Sequence, residues 1–183
     1  MRLAWAAVAL AATLAAPAGA AAVTIRYTHF QPGRLDQPKH AAAMAFKHYV
    51  ESASEGEIRV EVFPAGQLGD ALPVLEQVRL GSIQLAVVHD GPISSIFPPM
   101  QVYNIPYLFN DQNEAWAVFD SDFTRRMGEE MRRTTGIRLL ALADNGLRHF
   151  TNSLRPIRSP QDMRGMKIRI QPGPLYETLV RSL

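Results

Sequence analysis

Along most of this chain, short segments with a two-residue apolar repeat alternate with longer segments of helical repeat. No other feature constrains the fold as much. Residues 23–29 (VTIRYTH) set Val23, Ile25 and Tyr27 against Thr24, Arg26 and Thr28, which predicts a strand. Residues 36–54 are rich in Ala and carry Ala42, Phe46 and Val50 on one stripe, predicting a helix that Gly56 ends. Ile58, Val60 and Val62 predict the next strand, stopped at Phe63-Pro64. After the Gly69 turn, Leu72, Leu75, Val78 and Leu80 recur at helical spacing up to Gly81. Residues 83–88 (IQLAVV) are nearly all apolar, the pattern of a strand covered on both faces. Residues 89–100 (HDGPISSIFPPM) predict a loop. Asp111 and Glu114 resemble a capping box opening one helix to about Arg133, with Ala115, Val118, Phe119, Phe123 and Met127 toward its core. Residues 137–143 (IRLLALA) predict another buried strand. Strands alternating with helices predict an α/β fold with a largely parallel sheet.

The Asp144-Asn145-Gly146 turn opens a second part. Residues 147–152 and 166–171 are strand-like, and Ser159-Pro160-Gln161-Asp162 predicts a capped single helical turn closed by Gly165. In MKIRIQPG, residues 166–173, Met166, Ile168 and Ile170 share one face and Lys167, Arg169 and Gln171 the other, before Pro172-Gly173 stops the strand. Residues 175–183 begin a helix. Two strands and half a helix cannot bury a core of their own, so this part reads as the opening of a second lobe.

Other features bound the function class. The formal net charge is +2 and there is neither a basic block nor an acidic tail, which argues against nucleic acid as a partner. The N-terminus has Arg2, an apolar run over residues 3–15, and Pro17-Ala18-Gly19-Ala20, the pattern of an export leader cleaved after Ala20 or Ala22. The competing reading is an uncleaved anchor, because the run approaches the roughly 20 residues needed to span a bilayer. The run is mostly weakly apolar Ala, with Pro17 and Gly19 at its end, which favours the leader. Cysteine is absent, so disulfides and a lipid-anchored N-terminal Cys are both excluded. The mature chain, from residue 23 on, is expected free in a bacterial periplasm, as a monomer.

Catalytic signatures are scarce: there is no G-x-S-x-G elbow, phosphate loop, H-E-x-x-H or G-x-G-x-x-G. His40 and His48 lie two helical turns apart, too distant to chelate one ion alone. His89-Asp90 follows a buried strand, where ligands of open α/β sheets collect, although Asp before Gly91 also suits a plain turn. Arg148, in GLRHFTN, and Arg169, in KIRIQ, are each ordinary solvated residues when taken singly. Together, both lie on segments entering the second lobe, and a guanidinium is a permanently charged planar fork that can hold a carboxylate bidentately. That suits capture of a small organic acid.

These residues also carry a family resemblance. FPAGQLGD at 63–70, GSIQLAVV at 81–88, IPYLFND at 105–111 and GLRHFTNSLRPIRSPQDMRGMKIRI at 146–170 occur behind the export leader, in an order that resembles the extracytoplasmic solute-binding proteins of TRAP (tripartite ATP-independent periplasmic) transporters. The most diagnostic piece is R-P-I-x-S-P-x-D-M-x-G-M-K-I-R at 155–169. The resemblance implies a periplasmic-binding-protein-like fold: two α/β lobes with mainly parallel sheets closing around one ligand, here residues 23–145 as the first lobe and 146–183 as the start of an incomplete second. It implies that Arg169 clamps the ligand carboxylate, that Arg148 assists, and that first-lobe contacts come from near His29-Phe30 and His89-Asp90. It implies no cofactor, no metal site and no catalysis. Family members usually continue well beyond Leu183, so a C-terminally truncated chain is expected.

The expected function is thus a periplasmic receptor delivering an organic acid to the TRAP membrane permease subunits. Two alternatives stand beside it. One is a receptor presenting its ligand to a sensor kinase. The other is an exported enzyme using His89, Asp90 and a nearby Ser94 or Ser95, which only proximity supports.

Overall fold

A computed structural model describes residues 23–171 and 174–183; the expected leader and the Pro172-Gly173 stop lie outside the described residues. β1 (Val23–His29), β2 (Ile58–Phe63) and β3 (Leu85–Val87) form a parallel sheet in the order β2–β1–β3. Val23 stands opposite Ile58 and Thr28 opposite Phe63 on one side of β1; Tyr27 stands opposite Leu85 and His29 opposite Val87 on the other. Parallel neighbours need a crossover. Helix α1 (Pro38–Ala53) supplies it from β1 to β2, and α2 (Ala71–Arg79) from β2 to β3. The expected α/β class with a parallel sheet is what the chain adopts.

Alternation on β1 turns Ile25 and Tyr27 toward α1, where Tyr27, Ala43 and Val60 form a buried cluster ringed by Phe46, Val50 and Val62. The Tyr27 and Phe46 rings meet edge to face, 5.6 Å between centroids. The helical stripe is therefore Ala43, Phe46 and Val50; Ala42, expected on it, is exposed. Val60 lies on an edge strand, with its N–H and C=O both facing away from β1. Glu51 and Lys47 of α1 satisfy them: Val60 N–H donates to Glu51 Oε1 at 2.8 Å, and Lys47 Nζ donates to Val60 O at 2.7 Å.

A second cluster joins Leu75, Phe97, Met100, Met131 and Ile137. It is built by α2, α3 (Asp90–Ile96), a 3₁₀ segment (Pro98–Asn104) and α5 (Asp122–Thr135), with α4 (Gln112–Phe119) preceding α5. Here several expectations change. Residues 89–100 are not a loop, because Pro92 falls in the first turn of α3, where its missing N–H costs no helical bond. The single helix expected from Asp111 breaks at Ser121, whose Oγ accepts from Thr124 N–H and starts α5 afresh. The break rotates the buried face to Thr124 and Met131 and leaves Phe123 exposed, while Ala115 stays buried. Asp111 does cap α4, accepting from Glu114 N–H at 2.9 Å, but Glu114 reaches back to Asn110 N–H and not to Asp111.

The segment 83–88 is only half-buried over β3, and its ladder stops at Leu85 because the Gln84 side chain takes the Arg26 N–H at 2.9 Å. Residues 137–143, 147–152 and 166–171 are not strands, since a strand requires a partner and among the described residues these segments pair with none. The expected alternation survives at 166–170 only as burial: Met166, Ile168 and Ile170 are half-buried, Lys167 and Arg169 exposed. The turn at Pro160–Met163 carries the full capping box between Ser159 and Asp162.

His29, at the end of β1, is fully buried, with Nε2 3.0 Å from His40 Nδ1. Burial lowers its pKa, and the neighbouring His40 and Lys39 lower it further.

Two outcomes follow for stability. Met131→Ala empties a site that is 2% exposed and should cost ~2–5 kcal/mol, read as a lowered denaturation midpoint. Because the folded chain holds His29 neutral while the unfolded chain takes up a proton near pH 6.5, stability should fall as pH drops below about 6.5. Denaturant titrations across that window should show His29→Gln reducing the slope.

Candidate functional site

Parallel strands end on one edge of the sheet, and ligands in such folds bind beyond that edge. β1 delivers His29 and Phe30 there, and β3 delivers His89 and Asp90, the latter in the first turn of α3. The turn after β2 folds over the same edge: Ala65 N–H donates to Gln31 O at 2.9 Å and Gly66 N–H to His29 O at 3.1 Å. Gly66 has φ +70, a conformation that favours glycine, and it lies against the Phe30 ring. Phe30 in turn meets His89 edge to face, 6.1 Å between centroids.

Asp90 is the centre of the arrangement. Tyr176 Oη, from α6 (Pro174–Ser182), donates to Asp90 Oδ2 at 2.5 Å. Arg148 Nη2 lies 3.8 Å from Asp90 Oδ1, and the Arg148 Cζ lies 5.4 Å from the centre of the Tyr176 ring. The three contacts differ in worth. The Arg148 side chain is 55% exposed, so its ion pair contributes on the order of 0–1 kcal/mol and the cation–π contact about as much. The Tyr176–Asp90 bond is short, charge-assisted and half-buried, and is the strongest link of the three. Burial raises the Tyr176 phenol well above its ordinary value, and the bond to Asp90 and its charge raise it further.

Two more groups complete the electrostatics. Lys39, in the first turn of α1, has its pKa lowered by burial; Asp90 opposes that shift and Arg148 adds to it. The His89 pKa is lowered by burial first; Asp90 pulls it up, while Lys39, Arg148 and Arg169 push it down. His89 is therefore a neutral imidazole at neutral pH, with one ring nitrogen donating and one accepting. Arg169 itself is exposed, and among the described residues no acceptor engages its guanidinium; its charge is nonetheless felt at His89.

Of the residues expected at the site, Phe30, His89, Asp90 and Arg148 gather at this edge, with Arg169 within electrostatic reach. Lys39 and Tyr176 were not expected. Lys39 left a trace, because a cation in the first turn of a helix opposes the helix dipole and needs another reason to be there. Tyr176 left none beyond a phenol that must find a partner when half-buried. The serines expected for an enzyme are committed elsewhere: Ser94 is buried and donates to Asp90 O at 2.8 Å, and Ser95 donates to Gly91 O. One surface hollow along α5 is walled by Arg–Glu pairs three residues apart, such as Arg132–Glu129, and a second is lined by Phe97, Pro99, Phe123 and Met127 with Arg126 and Glu130. Among the described residues no cluster of three metal-ligating side chains occurs, and no helix is long and apolar enough to cross a membrane.

A family model described as bacterial extracellular solute-binding protein, family 7, matches residues 32–183. The 2,3-diketo-L-gulonate-binding periplasmic protein of Escherichia coli (strain K12) is 29% identical over 140 residues, which are 75% of this chain and 42% of that protein. The C4-dicarboxylate-binding periplasmic protein of Rhodobacter capsulatus is 29% identical over 180 residues, 97% of this chain and 52% of that one. The crystal structure of a TRAP periplasmic solute-binding protein from Sulfitobacter sp. NAS-14.1 with bound β-D-galacturonate superposes with a TM-score of 0.81 at 30% identity, covering 87% of this chain and 52% of its own. The chain spans about half the length of the curated relatives it matches. These relatives are binding proteins, not enzymes.

The Tyr176–Asp90 link can be isolated by a double-mutant cycle. Tyr176→Phe should lower stability by about 1 kcal/mol, and should cost little further once Asp90→Ala has removed the acceptor.

Proposed function

This chain belongs to family 7 of the bacterial extracellular solute-binding proteins, and from that premise we propose that it captures a small organic acid and hands it to the membrane permease subunits of a TRAP transporter. The observation that carries the reading is the pairing of permanent cations, Arg148 and Arg169, with half-buried Lys39 at the edge where parallel strands end. A guanidinium stays charged at any physiological pH and matches a carboxylate with two parallel N–H donors. The ligands of the similar proteins, 2,3-diketo-L-gulonate, C4-dicarboxylates and galacturonate, share that carboxylate.

In this proposal Arg169 is the carboxylate clamp. Its guanidinium makes no bond among the described residues, so it is free to take up a ligand. Arg148, held against Tyr176 and Asp90, is the second cation; Phe30, His89 and Asp90 supply first-lobe contacts. Residues 23–145 act as one lobe and 146–183 as the opening of the other, and closure excludes water and strengthens the pairing. The protein works in the periplasm as a monomer after leader cleavage near Ala20 or Ala22.

Titration calorimetry on the full chain tests the clamp. Arg169→Ala should abolish binding of the cognate acid, and Arg169→Lys should weaken it at least tenfold, because an ammonium cannot reproduce the bidentate geometry. Wild-type affinity in Arg169→Ala would remove the assignment.

A further inference from the structure

Arg169 has no bond of its own to hold it: among the described residues no acceptor engages its guanidinium and no strand pairs with residues 166–171. Arg148, at the other end of the same stretch, is anchored. Its Nη2 lies 3.8 Å from Asp90 Oδ1, and its Cζ 5.4 Å from the centre of the Tyr176 ring. Among the described residues, the hydrogen bonds of the chain joining the two arginines all fall within residues 152–166 and close them into one loop. Arg155 is its hub. The Arg155 backbone N–H donates to Asn152 Oδ1 at 2.9 Å, Nε donates to Asp162 O at 2.8 Å, and Nη2 donates to Arg164 O at 2.8 Å. One planar fork thus bridges two carbonyls of the returning chain, a geometry that an ammonium cannot reproduce. Asp162 closes the loop from the other side. Its Oδ2 accepts from Arg158 N–H at 3.0 Å, Ser159 N–H at 2.8 Å and Ser159 Oγ at 3.0 Å. Met163 is buried, and Met166 N–H donates to Met163 O at 3.1 Å, which leads directly into the Arg169 segment. The charges of Arg148 and Arg169 both act on His89, so the loop brings the chain back to the edge it left.

Resting on the proposed function, we infer that Arg155 is a positioning residue: by closing the loop over residues 152–166 it carries the anchorage of Arg148 forward to Arg169 and sets where that guanidinium stands at the sheet edge. Arg155 itself touches no ligand. Its own N–H groups are spent on the carbonyls of Asp162 and Arg164.

His89 supplies a readout that needs no ligand. The charges felt at its ring are Asp90, which raises its pKa, and Lys39, Arg148 and Arg169, which lower it; Arg155 is not among them. Arg155→Lys keeps the positive charge and loses the fork. An NMR titration of the His89 ring in the full chain should show its midpoint rising in Arg155→Lys, toward the value found in Arg169→Ala, because a displaced Arg169 opposes the imidazolium less. On the Arg169→Ala background, Arg155→Lys should move the midpoint no further. Asp162→Asn is the second variant should Arg155→Lys fail to fold; it removes a negative charge, which alone would lower the midpoint, so a rise there reports displacement of Arg169. A midpoint unmoved in both variants, or a rise of the same size without Arg169, would overturn the inference. Calorimetry with D-galacturonate, L-gulonate and succinate as probes reads the consequence for binding. An acid held by wild type should bind Arg155→Lys about tenfold more weakly, the worth of one charge-assisted hydrogen bond, and Arg155→Lys should cost nothing more once Arg169 is gone. The predicted His89 response together with no binding of any of the three acids, or with binding unchanged in Arg169→Ala, would keep Arg155 as the residue that places Arg169 and remove the carboxylate clamp.

Discussion

Parallel pairing of β1 with both neighbours is the interaction on which the rest depends. Because the strands run the same way, their C-terminal ends lie together, and each end hands its next residues to one edge: His29 and Phe30 from β1, the turn over Phe30 from β2, His89 and Asp90 from β3. An antiparallel neighbour would have sent one of these groups to the far side of the sheet. The pairing is in turn held by α1, which buries Ala43 and Phe46 against Tyr27 and Val60 and lends Glu51 and Lys47 to the unpaired backbone of β2. Core, edge protection and site placement are thus consequences of one arrangement.

The charges gathered at that edge come from segments with no such scaffold. Arg148 and Arg169 lie on extended chain without strand partners, and Tyr176 on a short helix beyond them. Asp90 links this part to the edge of the sheet, receiving the phenol of Tyr176 and the charge of Arg148. Such a junction is firm enough to define the site and sparse enough to leave the guanidinium of Arg169 available.

Much of this was legible in the residues. The period-two runs at Val23–His29 and Ile58–Phe63, the helical stripe through Phe46 and Val50, and the Asp111 and Ser159 caps all appear where their patterns place them. Readings failed where a local signal had two outcomes. Asp90-Gly91-Pro92 suits a turn, but equally the first turn of a helix; Ser121 was hidden inside an apolar repeat that continued past it. The apolar runs at 137–143 and 166–171 have strand composition, yet composition cannot provide a neighbouring strand. At the site, the residue types Arg148, Arg169, His89 and Asp90 announced themselves by charge next to turns, whereas Tyr176 resembled any helix aromatic.

By itself, then, the sequence determined what is local: the period of each segment, the caps and stops, the absence of cysteine, and the presence of two permanently charged forks near turns. Those properties depend on residues within a few positions of each other. The tertiary structure alone decided which groups meet. Tyr176 and Asp90 stand 86 residues apart, and the buried His29 finds His40 across the bend between β1 and α1. No periodicity encodes such distances, because contact between remote residues follows from how the strands align and how the helices pack over them, a property of the whole fold and of no single stretch of it.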